Sequence, residues 1–382
     1  MGRIEIDVFI AKALNTYCSP ESERNDNERT LFMKIGVIPE NLIERIVLST
    51  GRVPTPLHDT LMAILLARTI MVATKLGVFE ALAAGASRVE DIAQRCKTNP
   101  RATEKLLNAL VSSAYVVGSD GMYELAPVAR RWLLKASPES LYDNVLFRFF
   151  EWDVVEGCED YVRTGKPLDV HKTVKSEEDW DLYQRGMRSL AGPVAAEVVQ
   201  RTPVPKGARD MLDIGGSHGY FSASLCRQHP QLRAVILDLP EAVKHAAPIL
   251  AREDMGERVT HRIGNALEDD LGSEAWDIVF VAQLVHHFDD ATNRAFARRV
   301  ARALRPGGVF VIQEIIRPRS PKDAGQMGAL LDLFFALTSE SGTWSYEEMA
   351  QWQREAGLLP QKPIRFRSVP GTGQQAAFKP GN

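Results

Sequence analysis

Hydrophobic and polar positions follow two different rhythms along this chain. From residue 59 to about residue 113 the rhythm is helical: Leu61, Leu65, Ile70, Ala73 and Val78 fall on one broad face. Gly77 predicts a break, and the Val-Phe-Glu-Ala-Leu that follows predicts a second short helix. Ser87 with Glu90 three residues later reads as a capping box that opens a helix ending near Cys96. Thr98-Asn-Pro-Arg reads as a turn, with Pro100 starting a longer helix. Residues 115–117 and 122–125 flank Gly118-Ser-Asp-Gly121 and predict a hairpin wing. Helix, turn, helix and wing together predict a winged-helix module. Residues 140–200 again read as mostly helical. After Lys206 short apolar or β-branched runs at 211–214, 234–237, 259–263, 278–282 and 309–313 alternate with helical segments. That alternation predicts an α/β domain with a parallel sheet covered on both faces. Residues 363–369 and 374–378 read as a hairpin closing one sheet edge. The first 55 residues carry the weakest pattern: a short helix at 4–14, a polar loop at 19–29, then Pro39, Pro54 and Pro56 as punctuation.

The predicted organisation is an N-terminal extension or arm (1–55), a helical winged-helix module (56–185) and an α/β domain (186–382). A chain of 382 residues, 45% hydrophobic and 25% charged, can bury a sizeable core in such domains. Its net charge of −3 supplies no attraction to nucleic acid or to an anionic membrane, and neither is expected as a partner. The winged helix raises DNA binding as a rival. However, residues 80–135 hold eight Lys or Arg against six Asp or Glu, a net of +2, which is a weak basic footprint. A structural or dimerising role is therefore favoured. Cys18, Cys96, Cys158 and Cys226 are far apart and form no C-x-x-C pair. With no signal peptide evident, they read as reduced thiols of a cytoplasmic protein. The apolar stretch 61–78 carries Arg68 and Lys75 and reads as amphipathic rather than membrane-spanning.

The chemistry concentrates at predicted strand ends. Strand 211–214 breaks into Gly215-Gly-Ser-His-Gly219 and then enters a helix. Glycines there permit a sharp turn and a close approach to a ligand at the helix N-terminus. Asp238 lies twenty-two residues after Gly216 at the end of the next strand, placed for a ribose hydroxyl. The same turn also serves as a plain strand-to-helix connection, and the strict G-x-G-x-x-G is absent. His286 and His287 follow the fourth strand, where ligands of open α/β sheets bind, and an imidazole takes up a proton near neutral pH. Strand alternation predicts that only one of the pair faces the site. No further His or Cys stands at a ligand spacing, so no metal is expected. Glu314 ends the fifth strand. It either orients a histidine or pairs with Arg317. The aromatic residues Phe147, Phe149, Phe150 and Trp152, with Trp180, Tyr183, Met187 and Leu190, read as core or as a pocket wall.

Taken together, Asp213-x-Gly215-x-Ser217-x-Gly219, Asp238-Leu-Pro, 284–290, Leu304-Arg-Pro-Gly-Gly308, Gln313-Glu314 and Ser345-Tyr-Glu-Glu-Met form an ordered set. The set resembles the small-molecule O-methyltransferases that use S-adenosylmethionine (SAM), including plant caffeate and flavonoid enzymes and bacterial polyketide-tailoring enzymes. The resemblance covers roughly residues 59–380. It implies a Rossmann-like class I methyltransferase domain behind a dimerising winged-helix domain, and a homodimer formed through the N-terminal helices. It implies SAM over Asp213 and Gly215, Gly216, Ser217 and Gly219, with Asp238 and Leu239 at the ribose. Asn265, Ala266 and Gln283 complete the implied cofactor contacts. His286 matches the family's base and Glu314 the acid that orients it. A small, apolar acceptor would lie among Phe150, Trp152, Met187, His287, Met327, Leu331 and Phe335. Ser217 replaces a glycine of the family turn, Asn265 a frequent Asp, Ala282 a frequent Lys and His287 a frequent Asp. Thr343 stands where plant members carry a second catalytic Glu. Transfer to carbon through an enolate or activated ring, and a ligand-sensing DNA-binding regulator, remain the alternative readings.

Overall fold

The computed structural model describes residues 35–168, 174, 176–339, 341–369 and 371–381, and the side chains of these except 321–324. The expected elements at 4–14 and 19–29 lie outside the described residues. The first described helix is Leu42–Ser49, capped by the Asn41 side chain on the Glu44 N–H. A helical run from Thr55 to Lys75 follows, with a π-turn at His58–Met62. An 18-residue window within its 21 residues has a mean hydropathy of 1.4, enough by length and composition to cross a membrane. Only the second half of that face is covered. Ala73 and Val78 are buried, whereas Leu61 and Leu65 are 47% and 51% exposed.

Strand β1 (Ser87–Arg88), helices Val89–Cys96 and Pro100–Ser112, and strands β2 (Val116–Ser119) and β3 (Met122–Leu125) form the winged helix, with sheet order β1-β3-β2. Asn99 caps the second helix through the Ala102 N–H, with Pro100 at its first position, as the sequence predicts. The capping box expected at Ser87 is not formed. Ser87 is a strand residue paired with Tyr123, and the helix N-cap is Arg88, which has no side-chain cap bond. Pairing to the wing outcompetes the local cap. Complete capping boxes instead open the helices Glu177–Arg201, from Ser176, and Tyr346–Glu355, from Ser345.

The α/β domain holds β4 (Asp210–Ile214), β5 (Arg233–Asp238), β6 (Val259–Ile263), β7 (Trp276–Ala282), β8 (Leu304–Ile315), β9 (Leu359–Pro360), β10 (Ile364–Arg365) and β11 (Thr372–Phe378). Their order is β10-β11-β8-β7-β4-β5-β6, with β9 paired to β11. Strands β6, β5, β4, β7 and β8 are parallel, and β11 runs antiparallel to β8. All five parallel strands coincide with predicted runs, because strands buried on both faces read as continuous apolar segments. Leu212, Ile214, Val279 and Val281 project into one core layer, and Met211, Ile278 and Phe280 into the other. The chain leaves β4 in one direction through β5 to β6 and returns to β7 on the other side. This reversal creates a crevice at the carboxyl ends of β4 and β7. The boundary expected between 185 and 186 falls inside the helix Glu177–Arg201.

Candidate active site

The β4 turn is closed by its own backbone and by side chains from three other elements. The Gly215 N–H donates to the Leu237 carbonyl (2.8 Å) and the Gly219 N–H to that of Gly216 (2.9 Å). The Ser217 N–H donates to Asp238 Oδ2 at 2.9 Å, its hydroxyl to Gln184 Oε1, and its carbonyl lies 2.8 Å from His261 Nε2. Ser217, Gly215 and Gly219 all have positive φ. A Cβ on Gly216 would collide with the Asp213 carboxyl, and one on Gly219 would lie 2.5 Å from Ile236 Cδ1. The protein's own packing thus already requires those two glycines. The case for a ligand rests more on Asp238, half-buried beside the turn, with Oδ1 accepting the Leu239 N–H (2.8 Å). These two N–H bonds hold the carboxylate in a fixed orientation.

Burial shapes the charges around the turn. Asp213 is 1% exposed; burial, opposed by the Ser222 hydroxyl bond and reinforced by Asp238, pushes its carboxyl up to about 7. Burial, then the charges of Arg188 and His261, draws His218 down to about 3, and its Nδ1 accepts the Tyr220 N–H at 3.1 Å. Tyr183 is pushed up to about 12 by burial and by the carboxylates of Asp238 and Glu151. Phe147 stacks on Phe150 (5.3 Å between centroids) and meets Tyr183 edge-on (5.5 Å), so this aromatic cluster reaches toward Asp238. Trp152 instead lies under the Arg68 guanidinium of the N-terminal module, 4.2 Å from its ring centre.

Gly264 donates its N–H to the Asp238 carbonyl, which brings the start of the β6 loop to Asp238. In that loop Asn265 Oδ1 accepts the Leu267 N–H (3.0 Å), and Ala266 packs on the core. Leu239 is exposed. Gln283 follows β7 with φ 53° and donates its N–H to Gln313 O.

His286 and Glu314 meet directly. Glu314, 1% exposed, accepts the Leu284 and Val285 N–H groups on Oε1 (2.8 and 2.9 Å), while Oε2 lies 3.0 Å from His286 Nδ1. Arg317, the alternative partner, pairs with Glu348. An ionised carboxylate only accepts, so the imidazole hydrogen sits on Nδ1 and the Nε2 lone pair faces away from Glu314. Asn293 Nδ2 and Trp344 Nε1 each donate to the Val285 carbonyl at 3.0 Å and hold the turn. The histidines do not alternate as on a strand. They occupy a 3-10 turn, Val285–His287, and their ring centroids are only 4.2 Å apart. Phe335 meets His286 edge-on at 4.7 Å. Met327, Leu331 and Phe335 recur every four residues on the helix Pro321–Thr338, in one stripe. Met187 is half-buried on the helix Glu177–Arg201, three residues beyond Gln184.

The O-methyltransferase domain family matches residues 153–358, and the O-methyltransferase dimerisation domain matches residues 59–135. The chain belongs to the O-methyltransferase family. It is 27% identical over 340 residues to the 3-hydroxy-5-methyl-1-naphthoate 3-O-methyltransferase of Streptomyces sahachiroi, covering 85% of this chain and 95% of that protein. It is likewise 27% identical over 332 residues to the acetylserotonin O-methyltransferase of Bos taurus, covering 81% and 92%. The crystal structure of human N-acetylserotonin methyltransferase with SAM superposes with a TM-score of 0.76 at 17% identity, covering 89% of this chain and 99% of that one, a likeness of fold. This O-methyltransferase is thus a SAM-dependent enzyme, with a dimerisation domain ahead of a class I α/β domain.

Three residues of this O-methyltransferase's site escape sequence reading. Gln184 lies thirty-three residues before Ser217 on a separate helix. His261 lies mid-strand in β6, with nothing in its neighbourhood to mark it. Asp332, three residues before Phe335, accepts the hydroxyl of buried Thr343, so a carboxylate stands beside the position where plant members carry their second Glu. The helix Pro321–Thr338 supplies it, and a reading of strand ends does not reach that helix.

Proposed function

We propose that this enzyme methylates a hydroxyl group of a small aromatic metabolite of secondary metabolism, with His286 as general base and Glu314 as its positioning partner. The contact of His286 Nδ1 with Glu314 Oε2 at 3.0 Å carries this reading. When bound, SAM supplies an electrophilic methyl group on its sulfonium. The turn Gly215–Gly219, with Asp213 beneath Gly216, and Asp238 would hold it. Leu239, Asn265, Ala266 and Gln283 would line the rest. Asp238 supports the fit because its carboxylate is pre-oriented by two N–H groups. His286 Nε2 would take the acceptor's hydroxyl proton as the oxygen attacks, since a neutral hydroxyl is a weak nucleophile. Glu314 would stabilise the resulting imidazolium. Phe335, Leu331 and Met327, with His287, Phe150, Trp152 and Met187, would form the apolar pocket wall. The aromatic acceptors in the names of the naphthoate and acetylserotonin relatives support an aromatic substrate. The arm (1–55), the dimerising module (56–185) and the catalytic domain (186–382) would divide the work, with the helix Glu177–Arg201 shared by the last two.

The test is the His286→Ala variant, assayed on a panel of hydroxynaphthoates and hydroxyindoles with product NMR. SAM affinity by calorimetry should be unchanged, while turnover falls by about 10²–10⁴-fold, the usual worth of a general base. Unchanged turnover would remove the base role, and a methyl on carbon would remove O-transfer.

A further inference from the structure

We propose that Glu177, Glu241 and His245 form a binding site for a divalent transition-metal ion, away from the reacting histidine. Two helices each contribute a pair four residues apart, and residues at that spacing share a helix face. Glu177 and Asp181 stand on Glu177–Arg201, and Glu241 and His245 on Pro240–Ala251. One carboxylate oxygen from each Glu and a ring nitrogen of His245 all lie within 4.8 Å of one another. Asp181 Oδ1 lies 2.7 Å from His245 Nδ1. A carboxylate only accepts, so the ring hydrogen is on Nδ1 and the Nε2 lone pair points into the cluster. His245 is 6% exposed, and its buried Nε2 has no hydrogen-bond partner. That nitrogen is 3.3 Å from Glu177 Oε2 and 4.0 Å from Glu241 Oε2.

Acceptor atoms facing each other at such distances need a positive species between them, either a proton or a metal ion. The carboxylate on the far nitrogen favours the metal, since this relay fixes the tautomer and raises the basicity of histidine ligands. One nitrogen and two oxygens suit zinc, with water completing the tetrahedron. Both glutamates are exposed, which gives the ion a path in. The Lys244 ammonium lies 2.6 Å from Glu177 Oε1 and 3.9 Å from Glu241 Oε2. It competes for the same field on an exposed stem that can swing away. Occupancy would tie the start of the helix bearing Gln184 to the start of the helix that follows Asp238, and so brace the cofactor turn from outside.

The experiment uses the chelator-treated full chain and Zn²⁺ alone, read by calorimetry and thermal melting. One zinc per chain should bind with micromolar affinity and raise the melting temperature. Binding should be lost in His245→Ala and weakened about 10–100-fold in Asp181→Asn, the usual cost of removing such a relay partner. Glu177→Gln, an exposed and nearly isosteric change, should weaken it at least tenfold without disturbing the fold. Lys244→Ala, which removes the competitor, should tighten it. No saturable binding in the wild type, or wild-type affinity in Glu177→Gln, would overturn the proposal in favour of a proton held between the same atoms. Either result leaves the reading of His286 untouched.

Discussion

Asp213 shows how one residue can belong to a motif for reasons of packing as much as of ligand. Its Oδ2 accepts the Ser222 hydroxyl at 2.5 Å, and its Oδ1 is buried without a partner. With a carboxyl displaced from the ordinary 3.8 to about 7, the folded protein holds a proton that the unfolded chain has lost. Stability therefore falls as pH rises from about 4 to about 7, and the full penalty persists above that. Asp213→Asn should flatten this dependence. The slopes of the two proteins should differ by nearly one proton, about 1.4 kcal/mol per pH unit, between about pH 5 and pH 6 and converge above about pH 7, in urea unfolding measured across that range. Parallel curves for the two proteins would rule out a shifted Asp213. The acid was legible in the sequence as part of a glycine-rich turn. Its burial was not, because that depends on Gly216 lying directly over it. The His286–Glu314 pair was legible because Glu314 ends an apolar strand and His286 closely follows one. The closeness of His287 was not, because alternation fails once the chain leaves the strand for a tight turn.

At the scale of elements, the strand–turn–helix unit from Asp210 to Gln228 carries the strictest local demands. Gly219 has φ 69°, and a methyl there would lie 2.5 Å from Ile236 Cδ1 and 2.9 Å from Leu250 Cδ1. Gly219→Ala should destabilise the protein by roughly 2–5 kcal/mol, the left-handed backbone costing about 1–2 and the overlap about 1–3. A lowered urea midpoint at unchanged slope is the expected record, and an unchanged midpoint would contradict the geometry. Such turns announce themselves in sequence, since few residues tolerate them. The parallel strands do so equally well through their apolar runs. Caps are less dependable: the box at Ser87 lost to a strand pairing that only Tyr123, thirty-six residues on, could supply, whereas those at Ser176 and Ser345 form.

For the molecule as a whole, the unfinished feature is its N-terminal apolar face. Leu57, Leu61, Ile64 and Leu65 are all about half exposed, and Leu42 and Ile43 more so. Contiguous apolar surface on this scale marks an interaction site. The dimerisation domain matched over residues 59–135 names a second copy as the occupant. Sedimentation at micromolar concentration should find a dimer. Leu61→Lys with Leu65→Lys should shift it to monomer while the far-ultraviolet spectrum is retained, and a dimer that survives both charges would place the interface elsewhere. The amphipathic period of this helix was legible in the sequence, but which half of its face the chain itself would cover was not.

The closure of the cofactor turn also has a bearing on how the chain is made. Ser217 is gripped by Gln184, thirty-three residues before it, and by His261, forty-four residues after it. A chain growing from its N-terminus can form the first grip as soon as β4 emerges, but the second must wait for β6. Until then the most recognisable stretch of the sequence is held on one side only. The turn that a reader of the sequence identifies first is therefore closed only once β6 has emerged, well after the turn itself.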